Sequence, residues 1–232
     1  MFLNFLFCLT IILVTQNQIE MKPLTAEHME ELRAQIKSTL YIPDPLPPLV
    51  PRTHSRFEPA PGVIMERVSY GSQSGLRIPA ILYLPKKHSG NIPALIVVNG
   101  HGGDKYSWYA FYSGILYARA GAAVLTFDPI GEGERNKERK SGTRDHDILQ
   151  EPREMGKKMG GLLITDVMQA ISYLSQRPEV DSNRIAAMGY SLGSFITSLA
   201  GAIDTRLNAC VLVGGGNLDG PDEYWDNTKP MC

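Results

Sequence analysis

The 232-residue sequence has little net charge and few cysteines. Its 23 Lys and Arg residues nearly balance 24 Asp and Glu residues, so no charge excess indicates a nucleic-acid partner or a disordered chain. The three cysteines, Cys8, Cys210 and Cys232, lack the spacing of a zinc site or of a disulfide framework, and we expect inert thiols. The 43% hydrophobic composition is instead typical of one globular domain with a sizeable core.

The sequence also lacks an apolar run long enough for a stable membrane span, which needs about 20 residues. The run that opens the chain, residues 2–14, is shorter and contains Asn4, Cys8 and Thr10. Its length suits the core of a signal peptide over residues 1–20, although no Lys or Arg precedes it and no A-x-A-like cleavage site follows. That interpretation predicts a secreted or periplasmic protein. If Met21 is the true start instead, the protein is cytoplasmic.

Strand and helix patterns alternate along the rest of the chain. Residues 21–61 are predicted to form a helix from Thr25 to about Leu40 and a Pro-rich connector. Residues 62–70 and 77–84 then predict an antiparallel hairpin. Later apolar runs predict strands at 94–99, 122–128, 184–188 and 209–214, and helices at 108–120, 162–175 and from 191 onward, with a charged, solvated loop at 132–158. This alternation predicts an α/β domain over residues 62–232, with a mostly parallel sheet and helices on both faces.

The pentapeptide Gly189-Tyr-Ser-Leu-Gly193 matches the pattern G-x-S-x-G. It follows a predicted strand and opens a predicted helix, which is the context that a nucleophile elbow requires. Such a turn holds the serine hydroxyl out of the sheet, and the two glycines let strand and helix approach closely. We therefore predict Ser191 as a nucleophile rather than a helix N-cap, and we interpret Ser194 and Ser198 as structural.

A serine that transfers acyl groups needs N–H donors for the oxyanion of the tetrahedral intermediate. The backbone N–H of Leu192, the residue after the serine, is predicted to be one of them. The other is expected from the glycine-rich loop at residues 99–104, Asn-Gly-His-Gly-Gly-Asp. Either Gly102 or Gly103 can supply that N–H, and the sequence does not distinguish between the two.

No histidine follows Ser191, since the five histidines are at positions 28, 54, 88, 101 and 146. In proteins with this elbow the catalytic acid and base follow the serine in the chain, so the base is predicted to be absent here. His101 is interpreted as a loop-ordering residue and His146 as a loop histidine without metal-ligand spacing. Asp204 is interpreted as a surface helix cap, and Asp219 as a remote candidate for the acid. We expect a C-terminally truncated chain that is inactive or poorly folded alone.

With these motifs in register, the sequence resembles the acetyl xylan esterase and dienelactone hydrolase-like branch of the α/β-hydrolases, near prolyl oligopeptidase-type catalytic domains. The resemblance rests on the hairpin, Asn99–Gly103, Phe127–Arg135, Arg177–Asp181 and the elbow, and covers about residues 62–216. It implies an α/β-hydrolase fold whose last strands are missing here. It also implies a serine esterase that cleaves small or carbohydrate-linked acyl esters through an acyl-serine. No metal or cofactor is implied, because serine acyl transfer needs none.

Two alternatives remain open. Peptidases of the prolyl oligopeptidase type usually carry a large N-terminal β-propeller, for which too few residues precede the hairpin. A non-catalytic binding protein with an α/β-hydrolase fold would account for the missing histidine. The sequence does not indicate the acyl group, the alcohol or the oligomeric state.

Overall fold

A computed structural model describes residues 25–136 and 152–214. The predicted signal peptide, His146 and Asp219 lie outside the described residues, as do Cys8 and Cys232. In chain order the described elements are α1 (Ala26–Thr39), β1 (Arg52–Ala60), β2 (Val63–Gly71), β3 (Arg77–Pro85), β4 (Ile92–Val98), α2 (Trp108–Arg119), β5 (Ala123–Phe127), α3 (Pro152–Ser175), β6 (Val180–Tyr190), α4 (Leu192–Ile203) and β7 (Ala209–Val213).

Within the described residues the strands form one sheet in the order β1-β2-β3-β5-β4-β6-β7. The first half is antiparallel, whereas β5, β4, β6 and β7 are parallel neighbours. After β4 the chain passes through α2 to β5 on one side, and later through α3 to β6 on the other. Ligands of open α/β sheets bind at the carboxyl ends of strands where the order reverses in this way. The predicted α/β-hydrolase fold is confirmed, and its topology places the loops after β4 and β6 side by side.

Helices cover both faces of the sheet, as the alternation of elements predicts. The larger cluster of buried side chains lies on the face covered by α3 and α4, which contribute Ile164, Ile171 and Ile196. The smaller cluster lies on the other face, where α2 contributes Ala110 and Ala118. Each large aliphatic side chain that is fully buried contributes about 1.5–3 kcal/mol, so both clusters stabilise the strands that carry the site.

The sequence pattern did not reveal β1, which lies inside the segment expected to be a helix and connector. β1 pairs with β2 in antiparallel fashion, so the predicted hairpin is a three-stranded unit. Most residues of β1 are exposed at the edge of the sheet, and an edge strand without a buried face shows no apolar alternation. The connector itself packs closely: the carbonyl of Leu49 accepts a hydrogen bond of 2.6 Å from Gly71 N–H.

Other predictions near the elements' ends are partly right. The helix predicted from Thr25 is confirmed, because the Thr25 hydroxyl caps α1 by accepting the N–H of His28 at 3.2 Å. α3 begins at Pro152, so the end of the predicted charged loop is helical. Asp204 does end α4, but the surface position expected for it is wrong. It is 5% exposed, and its carboxylate pairs with the guanidinium of Arg206 at 2.6 Å.

Two further observations concern the sheet's edge and the membrane. β7 lies at the edge of the described sheet beside β6, and its apolar residues Val211, Leu212 and Val213 are between 42% and 49% exposed. The strand predicted at residues 209–214 is therefore confirmed as β7. Within the described ranges, no helix is long and apolar enough to cross a membrane.

Candidate active site

Ser191 alone joins β6 to α4, at the position where the sequence predicts an elbow. Its backbone has φ 51° and ψ −119°, a conformation that residues with a Cβ atom rarely adopt and that costs on the order of 1–3 kcal/mol. The residue is exposed, and its side chain makes no capping hydrogen bond to α4. The geometry therefore argues against the N-cap interpretation and leaves the hydroxyl available for chemistry.

The glycines on either side of Ser191 are required by close backbone contacts. A Cβ atom added at Gly189 would lie 2.2 Å from the carbonyl oxygen of Gly193, and one added at Gly193 would lie 2.2 Å from that of Val98. Carbon and oxygen atoms do not approach to that distance without a shift of the backbone. The prediction that both glycines allow strand and helix to approach closely is confirmed.

Hydrogen bonds from β7 and α4 hold the strained turn in place. The N–H of Ser191 donates to the carbonyl of Val213 at 3.1 Å. The buried hydroxyl of Ser194 donates to the carbonyl of Gly189 at 2.6 Å and accepts the N–H of Val213 at 3.0 Å. The Ser198 hydroxyl donates only within its own helix. The structural interpretation of both serines is confirmed, and Ser194 links the two strands that flank the turn.

The glycine-rich loop after β4 lies directly against Ser191. A Cβ atom added at Gly100 would lie 3.2 Å from the Cβ of Ser191. Residues 100–103 form a turn, closed by a hydrogen bond of 3.0 Å from Gly103 N–H to the carbonyl of Gly100. Gly102, the third residue of the turn, has φ 79°, which a type II turn requires at that position. Adjacent parallel strands thus bring the loop and the serine together.

The predicted oxyanion donors have different surroundings. Leu192 is the first residue of α4, so its N–H precedes the intrahelical hydrogen bonds and lies at the positive end of the helix dipole. The N–H of Gly102 donates to a carboxylate oxygen of Glu132 at 3.0 Å. The N–H of Gly103 donates to Gly100, as described above. An oxyanion would have to replace one of these acceptors to reach Gly102 or Gly103.

The described histidines occupy four different parts of the fold. His101 is exposed at the second position of the type II turn. His28 lies on α1, His54 on β1, where its ring bonds a hydroxyl on β2, and His88 in the connection between β3 and β4. The loop-ordering role expected for His101 stays a prediction, and the structure assigns no general base to Ser191.

A buried cluster of charges lies where the glycine-rich loop continues toward α2. The ammonium group of Lys105 lies 2.5 Å from the Asp128 carboxylate and 2.8 Å from that of Glu134. Asp128 also accepts the backbone N–H groups of Lys105 and Glu134, at 3.0 Å and 2.8 Å. The side chain of Lys105 is 1% exposed and that of Asp128 is fully buried, so each charge depends on the other for compensation.

The pKa values of this cluster are shifted by burial and by its hydrogen bonds. Burial raises the pKa of Asp128, and the ion pair with Lys105 offsets only part of that effect. Burial lowers the pKa of Lys105, but hydrogen bonds to Asp128 and Glu134 outweigh it, so the net shift is upward. The hydrogen bond from Lys105 lowers the pKa of Glu134. Lys105 therefore stays cationic at neutral pH and fixes the chain directly after the loop.

Sequence reasoning missed four residues that surround the loop: Lys105, Tyr109, Asp128 and Glu132. Asp128 follows β5 at the carboxyl edge of the sheet, where ligands of α/β folds bind, and that position was an available signal. Asp128 and Glu132 also lie in the segment Phe127–Arg135, which contributes to the family resemblance. The contacts of Glu132 with Gly102, of Lys105 with Asp128 and of Tyr109 with Gly100 join residues nine or more positions apart, so no local pattern predicts them.

Two observations concern possible metal ligands and the thiol in the described part of the chain. Within residues 25–136 and 152–214, no group of three or more His, Cys, Asp or Glu side chains could hold a metal ion. Cys210 is a free thiol on β7, and burial raises its pKa. A raised pKa lowers the thiolate fraction, in keeping with the inert thiol that we expect.

The sequence matches one protein-family model and several curated proteins. The family model for acetyl xylan esterase (AXE1) matches residues 55–213. Hydrolase ORFZ from Pyricularia oryzae (strain 70-15) is 31% identical over 161 residues, which cover 66% of this chain and 33% of that protein. Hydrolyase poxO from Penicillium oxalicum (strain 114-2) is 30% identical over 166 residues, 67% of this chain and 35% of that protein. The chain spans less than half the length of each of these two curated relatives.

Solved structures share the fold. Acetyl xylan esterase 1 from Thermoanaerobacterium sp. JW/SL YS485 superposes with a TM-score of 0.62 at 20% identity, covering 82% of this chain and 63% of that one. The acetyl xylan esterase from Paenibacillus sp. R4 superposes with a TM-score of 0.61 at 21% identity, covering 82% and 61%. These matches agree with the resemblance predicted from the motifs.

Proposed function

Because the chain belongs to the acetyl xylan esterase family, we propose that it carries the nucleophile of a carboxylic-ester hydrolase that works through an acyl-serine intermediate. Ser191 is the proposed nucleophile. The observation that carries this proposal is the strained, exposed turn at Ser191, whose hydroxyl makes no capping bond. Backbone strain of this size persists only where surrounding contacts over-determine it, and such positions cluster at active sites.

The proposed reaction uses the two loops that meet at Ser191. The hydroxyl oxygen attacks the ester carbonyl, and the N–H of Leu192 stabilises the oxyanion that forms. A second N–H comes from Gly102 or Gly103, once the oxyanion replaces Glu132 or the Gly100 carbonyl as its acceptor. The alcohol leaves, and water then releases the acid from the acyl-serine. The proposal assigns the catalytic acid and base to no described residue.

Hydrolysis of p-nitrophenyl acetate by the full-length protein tests the proposal. We expect Ser191→Ala to lower kcat by about 10⁶-fold, the loss that follows removal of the nucleophile from a serine hydrolase. Ser198→Ala is the matched control. It removes a serine hydroxyl from α4, the helix that follows Ser191, and that hydroxyl bonds only to a carbonyl of α4. Equal activity of Ser191→Ala and the unmodified protein would refute the proposal.

Covalent labelling identifies the nucleophile independently of turnover. A fluorophosphonate phosphonylates an activated serine and loses fluoride. Trypsin cleavage after Arg184 and Arg206 gives a single peptide that contains Ser191, Ser194 and Ser198. Fragmentation of that peptide should place the adduct on Ser191. A full-length protein that takes up no label and cleaves no ester would instead be a non-catalytic member of the fold.

The substrate and the site of action are further parts of the proposal. The solved structures named above are acetyl xylan esterases, which supports acetyl groups on carbohydrates as the substrate class. Acetate release from acetylated xylan supports this class, whereas cleavage of small esters alone excludes it, and cleavage of proline peptides alone indicates a peptidase.

The proposal that the protein is exported rests on the apolar run at residues 2–14. A mature N-terminus near residue 20 in the exported protein would support it.

A further inference from the structure

We propose that Tyr109 is a positioning residue whose hydroxyl holds the glycine-rich loop against Ser191, a role that rests on the function proposed above. The Tyr109 hydroxyl accepts the backbone N–H of Gly100 at 3.2 Å. It also lies beside the other end of the turn, since a Cβ atom added at Gly103 would be 2.2 Å from it. One oxygen atom therefore contacts both residues that close the type II turn.

The place of Tyr109 in α2 explains why its side chain reaches this loop. It is the second residue of a helix that begins just after the loop. Side chains of α-helices lean toward the helix N-terminus, so this ring lies over the residues that precede the helix.

The ring of Tyr109 also packs beside the turn that carries Ser191. It packs against the ring of Tyr190, the residue before Ser191, with centroids 4.4 Å apart. Gly100 in turn lies against the elbow, because a Cβ atom added there would be 2.9 Å from the Tyr190 carbonyl oxygen. Tyr109 thus bridges the loop that would supply an oxyanion donor and the turn that carries the nucleophile.

Loss of the hydroxyl should affect the transition state more than substrate binding. The N–H of Gly100 is part of a buried residue and would lose its acceptor, so the loop would shift to recover a partner. Oxyanion donors act only on charge that develops in the transition state, so a displaced loop lowers kcat and kcat/KM together and leaves KM unchanged.

Tyr109→Phe removes only this oxygen and keeps the ring. We expect kcat for p-nitrophenyl acetate to fall about five- to tenfold, the value of one hydrogen bond, with KM within about twofold. Tyr112→Phe is the control, because Tyr112 lies on the same helix and is 60% exposed. It should leave both constants unchanged.

Hydrogen exchange at the amide of Gly100 gives a readout that does not depend on turnover. It should speed up in Tyr109→Phe and stay unchanged in Tyr112→Phe. Unchanged kcat and exchange in Tyr109→Phe, with an active unmodified protein and an inactive Ser191→Ala, would overturn the role of Tyr109 alone. An inactive unmodified protein would overturn the proposed function and this role with it. If Tyr109→Phe does not fold, the hydroxyl is structural and the inference fails.

Discussion

Replacing Lys105 with methionine tests whether the buried charge cluster stabilises the loop beside Ser191. Methionine keeps a long unbranched side chain but removes the cation that lies 2.5 Å from the fully buried Asp128 carboxylate. Breaking a buried ion pair by removing one partner costs about 3–5 kcal/mol, because the remaining charge is left uncompensated. Asp128 keeps two backbone N–H donors, so we expect a loss near the lower end, about 3 kcal/mol at pH 7.

The pH dependence of this loss gives a sharper test than its size. Burial already raises the pKa of Asp128 above the unfolded value, and removing Lys105 takes away the cation that opposes the rise. A group whose folded pKa is raised binds protons more readily in the folded state, so the variant gains stability as pH falls through that pKa. The difference in unfolding free energy between the two proteins should therefore shrink from pH 7 to pH 5.

Urea unfolding at both pH values measures this difference. Lys86→Met is the control, because Lys86 forms an exposed pair with Glu58 at 2.6 Å and its removal should cost much less stability than Lys105→Met. A loss below about 1 kcal/mol for Lys105→Met would refute the importance of the cluster. A loss that stays constant between pH 7 and pH 5 would refute the assignment of the uncompensated charge to Asp128.

Two further predictions concern the same region. Ser194→Ala leaves the carbonyl of Gly189 and the N–H of Val213 without their partner, so unfolding free energy should fall by about 1–3 kcal/mol, against about 0.5 kcal/mol or less for Ser198→Ala. A loss equal to that of Ser198→Ala would contradict it. Glu134→Gln should be less stable than the unmodified protein at neutral pH, because the lowered pKa of Glu134 stabilises the folded state. In urea titrations that gap should begin to shrink as pH falls below 4.5, the ordinary glutamate pKa, and should vanish once pH is below the lowered pKa of the folded state. A gap that widens would disprove it.

The parts of the site that could be predicted from sequence are those whose signal is local. The elbow needs a strand, a pentapeptide and a helix in succession, and the glycine-rich loop directly follows an apolar strand. Gly189 and Gly193 were identifiable because only glycine tolerates the backbone contacts that such a turn creates. The fold class followed from the same alternation of strands and helices.

The remaining parts depend on contacts that no local pattern records. Glu132 bonds Gly102 from a loop 30 residues away, and Lys105 meets an aspartate 23 residues later. β1 was missed because its residues are mostly exposed. Asp204 was misplaced although Arg206 is only two residues away, because Arg206 also donates to the carbonyl of Met168 on α3, 38 residues away, and that contact holds the pair against the helix. In each case contacts that exist only in the folded chain decide the surroundings of these residues, and the local sequence carries no pattern that indicates them.

The glycine-rich loop and the turn at Ser191 are held in place by elements of different stability. The loop is fixed by Lys105 and Asp128, both buried in the interior, and by Glu132, which is 5% exposed. The turn at Ser191 is fixed through Val213 on β7, which lies at the edge of the described sheet and whose residues Val211, Leu212 and Val213 are between 42% and 49% exposed. Free energies of local opening are lowest where few apolar contacts hold a segment, so β7 should release the turn before the loop loses its anchors. Any contact that covers β7 would therefore stabilise the strained backbone of Ser191 through the hydrogen bond from Ser191 N–H to Val213, without contacting the serine itself.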